Sequence, residues 1–191
     1  MKEENSSIMT AIQGKQMTVE EYIQFETTSE LRHEYINGQL FELPGEKLLN
    51  LKIAAFLSAY LLTLLEEQGY IVYSTNAKVA IPNENKYYYP DLVVTNEPED
   101  LGNDYVVYQP ELLVEIISRT SRTRDTVDKY IDYTKIPSLK YYFVIDPERV
   151  YVTVHSKNPN GEWEAEAYNS KEEVILLPLL NLELPLNKIF R

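Results

Sequence analysis

The sequence predicts one mixed α/β (α+β) domain, and three observations carry that expectation. Its 191 residues are 44% hydrophobic and 25% charged, ordinary for a globular chain long enough to bury a sizeable core. Apolar runs of strand length are interrupted by two segments of helical period, near 47–68 and 125–136. Turn signals toward both ends, Asn37-Gly38 and the NPNG run at 158–161, mark antiparallel ribbons on either side of the middle.

Taken in order, residues 1–16 are polar and aperiodic and read as a flexible arm, leaving 17–191 as the single domain. Thr18 with Glu21 three residues later is a capping box, so TVEEYIQFE should open a short helix. EYI and QLFEL flank Asn37-Gly38 as a hairpin that Pro44-Gly45 ends. From about Lys47 to Gln68, Leu49, Ile53, Leu57, Leu61, Leu64 and Leu65 share a broad apolar face, and Gly69 supplies the stop. A face that wide predicts a helix largely buried against a sheet. Residues 70–82 and 86–95 read as two strands joined by PNEN. The acidic segment 96–109 is too long for a tight turn and reads as a mobile flap with a short strand at its end. A strand at 112–117 and a helix stopped by Pro137 follow. LKYYFVI, the 150–168 hairpin, EEVILLP and LLNLELPL complete the chain.

Composition excludes several chemistries. There is no Cys, so disulfides and thiolate metal sites are absent, and two His make a histidine-rich zinc centre implausible. Any metal must take oxygen ligands, which favours Mg²⁺ or Mn²⁺. MKEENSSIMT has no apolar core of signal-peptide length, and the apolar stretch 53–65 is too short to span a bilayer. The expectation is a cytoplasmic protein without a membrane partner. A formal net charge of −12 argues against loose electrostatic attachment to nucleic acid.

The stretch that organises the rest is ELLVEIISRTSRTRDTVDK, 111–129. Glu115 interrupts an apolar strand, where an isolated carboxylate would lose its hydration at a cost of several kcal/mol or take up a proton. A cation should therefore meet it: a metal ion, a lysine or an arginine. On the following helix Asp125, Lys129 and Tyr133 fall four apart and share one face.

With these residues in place, the chain resembles the Uma-type group of restriction-endonuclease-like proteins within the PD-(D/E)XK nuclease superfamily. The matching pieces are MTVEEY, RHEYINGQL, YYYPDLVV, LLVEIIS, DTVDKYIDY, IPSLKYYFVID and LPLNKIF, over roughly residues 17–190. The resemblance implies a restriction-endonuclease-like core: a mixed central β-sheet flanked by helices, with an N-terminal hairpin and a C-terminal β extension. It also implies hydrolysis of phosphodiester bonds, with DNA the expected substrate, using Mg²⁺ or Mn²⁺. Asp91, Glu115 and the backbone carbonyl of Ile116 would hold the ion, and Lys129 would serve the attacking water. Glu34, Ser118 and Tyr133 are supporting candidates, and Arg119, Arg122 and Arg124 would meet backbone phosphates. A homodimer fits an enzyme that cuts two strands.

Two departures stand against that pattern. The superfamily's usual lysine lies two residues after the glutamate, where this chain has Ile117; the Uma-type pattern moves it to the next helix, at Lys129. A His and an Asn typical of the long helix correspond here to Asn50 and Phe56. Two readings therefore stay open: an active nuclease, or a catalytically silent nuclease fold acting as a binding or oligomerisation module. Glu115 likewise reads either as a metal ligand or as half of a buried ion pair with Lys129. Glu34 reads either as a further acid of the site or as the partner of Arg32 or another neighbour.

Overall fold

The computed structural model describes residues 16–101, 104–117 and 125–191, with only the backbone given for Leu101, Asp125 and Thr126. All of the expected arm except Gln16 lies outside the described residues. Helix α1 spans Val19–Thr28, and the capping box forms as the sequence requires, with Thr18 and Glu21 satisfying each other's backbone N–H. Strands β1 (His33–Ile36) and β2 (Gln39–Glu42) pair antiparallel across Asn37 and Gly38. Both turn residues take the left-handed φ, 50° and 90°, that a two-residue hairpin needs. Helix α2 is Leu48–Leu65, with Glu66–Gln68 as a closing 3₁₀ turn and Gly69 at φ 83°.

The two strands expected at 70–82 and 86–95 are each cut in two. The first becomes β3 (Ile71–Ser74) and β4 (Lys78–Ala80), the second β5 (Lys86–Tyr88) and β6 (Leu92–Thr95). Thr75 and Asn76, at φ 49° and 73°, break the first run; Pro90, with no N–H to pair, separates the halves of the second. The halves enter different sheets. A five-stranded sheet runs β2-β1-β5-β4-β7, and a six-stranded sheet runs β11-β10-β9-β8-β6-β3. Here β7 is Val106–Val107, β8 Leu112–Ile116, β9 Tyr141–Asp146, β10 Tyr151–Lys157 and β11 Trp163–Tyr168. Strands β12 (Val174–Leu177) and β13 (Leu182–Pro185) form a separate ribbon. Both larger sheets are mixed, since β8 runs parallel to β9 and β4 parallel to β7. The remaining α-helices among the described residues are α3 (Pro98–Leu101) and α4 (Asp125–Tyr133), with 3₁₀ turns at Pro178–Leu180 and Leu186–Lys188.

The described part of 96–109 is pinned rather than flap-like. Asp100, almost fully buried, accepts from the N–H groups of Tyr108 and Gln109 and from the Thr95 hydroxyl. The large core sits between α2, the six-stranded sheet and the β12–β13 ribbon, and takes Leu112, Val114 and Ile116 from β8. Leu113 points the other way, into the cluster under α4 with Tyr133 and Tyr142. Because side chains alternate along a strand, Glu115 shares the Leu113 face. Strand β6 divides in the same manner, with Leu92 and Val94 toward α2 and Val93 toward α4. Among the described residues one side of α2 is covered: Asn50, Ile53, Ala54, Leu57, Leu61 and Leu65 are buried, whereas Leu49 and Leu64, expected inside, are exposed.

Candidate functional site

Antiparallel pairing of β6 with β8 sets Leu92 opposite Val114, which leaves Asp91 beside Glu115 at the end of the ladder. Asp91 ends the Pro90 break, so its carboxylate is not spent on a regular strand position. Its Oδ2 accepts the N–H of Ile116 at 2.6 Å, tying it to the residue after Glu115. Glu115 Oε1 accepts from Lys129 Nζ at 3.0 Å and from the Tyr133 hydroxyl at 2.8 Å. Lys129 Nζ also meets Glu34 Oε1 at 2.9 Å, so β1 of the other sheet joins the site. Tyr89 N–H donates weakly to the same Glu34 oxygen, at 3.4 Å. Arg32 is therefore not the partner of Glu34.

Helix α4 is held in register by a second polar cluster. Asp132, one turn from Lys129, accepts from Lys86 Nζ at 2.9 and 2.8 Å, from the Tyr88 hydroxyl at 2.7 Å and from Lys135 Nζ at 2.9 Å. The Tyr88 ring lies 5.6 Å from the Lys129 ammonium, a favourable cation–π distance. Lys129 and Tyr133 reach Glu115 together because residues four apart share a helix face.

One contributor, Glu46, escapes sequence reasoning, and a second, Asn50, is singled out there only as a departure from the family pattern. Asn50, on the first turn of α2, donates its amide to the Ile116 carbonyl at 3.3 Å and to Glu46 Oε2 at 3.0 Å. The charge of Glu46 in turn bears on Asp91. Glu46 carries no local signal, and the contacts of Asn50 are not legible locally, because both arrive through the packing of α2 on β8. Phe56, by contrast, stands away from the acids, with Lys52 and Arg191 over its ring at 5.6 and 5.2 Å. Ser118, Arg119, Arg122 and Arg124 lie outside the described residues, as does the side chain of Asp125.

The electrostatics are those of crowded acids. Burial pushes the Asp91 carboxyl up to about 6, against the opposing pull of the Ile116 N–H, with Glu46 adding to the rise. Burial likewise pushes Glu115 up to about 7, opposed by Lys129 and reinforced by Asp91 and Glu34. Burial alone would lower Lys129, but Glu115 and Glu34 outweigh it and hold the amine well above its ordinary range. Among the described residues, Glu34, Glu46, Asp91 and Glu115 thus face two cations, Lys129 and Arg32.

This donor set suits a hard divalent cation. Two neighbouring carboxylates and a carbonyl are all oxygen donors. Among the described residues no group of three or more His, Cys, Asp or Glu side chains is placed to hold a metal ion, so the protein would supply at most two carboxylates. An ion would accordingly keep water in its shell, which is the habit of Mg²⁺.

Comparison with known proteins agrees with this architecture. The model of the Uma2 family, described as "Putative restriction endonuclease", matches residues 19–187. An uncharacterized protein of Synechocystis is 26% identical over 175 residues, 92% of each chain. A second from the same organism is 26% identical over 158 residues, 82% of this chain and 89% of its own. The fold is similar to the crystal structure of a "putative nuclease belonging to DUF820" from Anabaena variabilis. That likeness has a TM-score of 0.73 at 17% identity, over 91% of this chain and 97% of the other.

Proposed function

The chain belongs to the Uma2 family, and from that premise we propose that it is a divalent-metal-dependent endonuclease hydrolysing phosphodiester bonds of DNA. The observation that carries the reading is the 2.6 Å bond from Ile116 N–H to Asp91, which ties the Asp91 carboxylate, just ahead of β6, to the residue after Glu115 on β8. Asp91, Glu115 and the Ile116 carbonyl would hold Mg²⁺ or Mn²⁺. When bound there, such an ion lowers the pKa of coordinated water and neutralises charge on a phosphoryl group.

The chain's own residues supply the rest. Lys129 remains protonated, so it acts as a fixed positive charge and hydrogen-bond donor and not as a base. Its place between Glu115 and Glu34 fixes the ammonium without help from solvent. There it can orient the attacking water and offset charge developing at phosphorus. Tyr133 holds the Glu115 oxygen that Lys129 shares, which sets the carboxylate's rotation. Asn50 steadies the Ile116 carbonyl from α2.

A second reading has its own observation. The Ile116 carbonyl already accepts from Asn50, and Glu115 Oε1 is engaged by two donors, as in a site closed on itself. On that reading the fold serves binding or assembly without chemistry. Supercoiled plasmid incubated with Mg²⁺ or Mn²⁺, with EDTA and Asp91→Ala as controls, separates the two. Metal-dependent nicking lost in the mutant supports the nuclease, and no nicking with either ion supports the silent module.

A further inference from the structure

Helix α2 carries a single charge, Lys52, in its eighteen residues. Its inner face is spent on the core. At about 100° per residue the opposite side presents Leu48, Leu51, Lys52, Ala55, Ala59 and Leu62, all exposed. Leu48 is 84% exposed, Leu51 40% and Leu62 42%. A helix whose outer side meets only water carries charged and polar residues there. This one offers leucines at both ends and two alanines at its middle.

We propose that the outer face of α2 is a self-association surface, pairing antiparallel with α2 of a second copy about a twofold axis near Ala55 and Ala59. Charge selects this occupant. The first half of the helix is basic: Lys52 donates to the Arg191 carbonyl oxygen at 2.8 Å, and the Arg191 guanidinium lies over Phe56 beside it. The far end is acidic, with Glu66 and Glu67 and no basic residue in its last turn. An antiparallel pair that sets Ala55 of one copy against Ala59 of the other brings each Lys52 toward the acidic end of its neighbour. A parallel pair would set Lys52 against Lys52 and acid against acid. Small central residues allow the axes to approach to about 8 Å, the close end of helix packing. A twofold interface of this kind is isologous, using one patch twice, and it closes without leaving the patch exposed. An anionic membrane is a poor competitor for a chain of net charge −12.

The pairing has a consequence for the site. Asn50 stands at the start of each α2, against the Ile116 carbonyl. Antiparallel helices would therefore hold two sites roughly 20 Å apart along the paired axes, at about 1.5 Å of rise per residue. The use of two sites on two strands rests on the nuclease reading, whereas the association itself does not.

Sedimentation velocity of the full chain over a dilution series tests it by mass. The expected species has twice the 22.3 kDa of the chain, and Ala59→Glu, at an exposed position, should sediment as a folded monomer that still melts cooperatively, at a temperature independent of concentration. Lys52→Glu should weaken association about tenfold, and adding Glu66→Lys to it should restore most of the loss. A monomeric wild type at every concentration overturns the proposal, as does undiminished dimer in Ala59→Glu. Flotation of a monomeric wild type, but not of Ala59→Glu, on neutral phosphatidylcholine vesicles assigns the face to lipid and overturns it too. Loss of plasmid cleavage with the dimer intact would count against the nuclease and leave this surface standing.

Discussion

Replacing Glu115 by Gln should stabilise the protein when metal is absent. The side chain is buried, and its carboxyl is pushed from an ordinary 4.5 up to about 7. That rise corresponds to roughly 3 kcal/mol, at about 1.36 kcal/mol per pKa unit. Because the folded chain binds this proton more tightly than the unfolded one, the wild type loses stability as pH climbs from 4.5 through 7. Glutamine keeps the volume and does not titrate. Nor does it orphan the lysine, since Lys129 retains Glu34 at 2.9 Å. Urea denaturation in EDTA should show Glu115→Gln ahead by up to about 3 kcal/mol at pH 8, with the gap closing toward pH 4.5. If Glu115 were instead the essential half of a structural pair, the mutant would lose about 3–5 kcal/mol at pH 8. Such a loss would refute the account of the site as an assembly with surplus negative charge.

Three further outcomes follow from the same geometry. Mn²⁺ or Mg²⁺ should raise the melting temperature of the wild type by preferential binding to the folded state, and Asp91→Ala should abolish the rise. The rise should fade below pH 6, because Asp91 and Glu115 protonate at about 6 and 7 and then compete with the ion; a calorimetric pH series reads this directly. Tyr133→Phe removes a donor from Glu115 and should cost roughly 1–2 kcal/mol, while the acid limb of any cleavage profile moves to higher pH. Asp100→Ala strips acceptors from the Tyr108 and Gln109 N–H groups and should cost roughly 2–3 kcal/mol, with faster hydrogen exchange at those two amides as the local readout.

Much of the fold is legible locally, and the failures have identifiable causes. The capping box at Thr18, the Asn37-Gly38 hairpin and the Gly69 stop are short-range chemistry and appear where that chemistry puts them. The division of 70–82 is not legible, because Thr75 and Asn76 break a strand with φ values that ordinarily call for glycine. Nor does periodicity reveal that β3 and β4 belong to different sheets, since sheet membership is a long-range choice. The open side of α2 misleads for a related reason: an apolar residue list cannot say whether the covering surface belongs to the same chain. At the site, Glu115 declares itself by interrupting an apolar strand, and Lys129 with Tyr133 by helical spacing. Glu34 and Asn50 are singled out by the resemblance, but what they touch, and Glu46 altogether, become visible only once α2 and the first sheet are folded around β8.

Lys129 offers the sharpest test of how the site is built. Removing it as Lys129→Ala leaves Glu34 and Glu115 facing one another with no cation between them. Above pH 7 that mutant should lose about 3–5 kcal/mol, the usual consequence of breaking a buried pair. Toward pH 5 the loss should shrink, because a carboxyl without its cation protonates readily in this buried setting. Residue 117 suggests the rescue. The Ile117 N–H still bonds the Ile145 carbonyl at 2.8 Å, so the chain remains extended beside β9 one residue past β8. Residues two apart in extended chain project to the same side, and position 117 therefore shares the side of Glu115. Adding Ile117→Lys to Lys129→Ala should return an ammonium to the acids from a different backbone position, and with it part of the stability at pH 8. Cleavage should recover less than stability, since a placement error near 1 Å can cost roughly a hundredfold in rate. Urea denaturation and plasmid nicking, measured on the same preparations, read the two separately. If the double mutant is no more stable than Lys129→Ala at pH 8, the charge at 117 does not reach the acids and the idea of a lysine shifted from strand to helix fails. If Lys129→Ala alone cleaves like the wild type, Lys129 has no part in the chemistry.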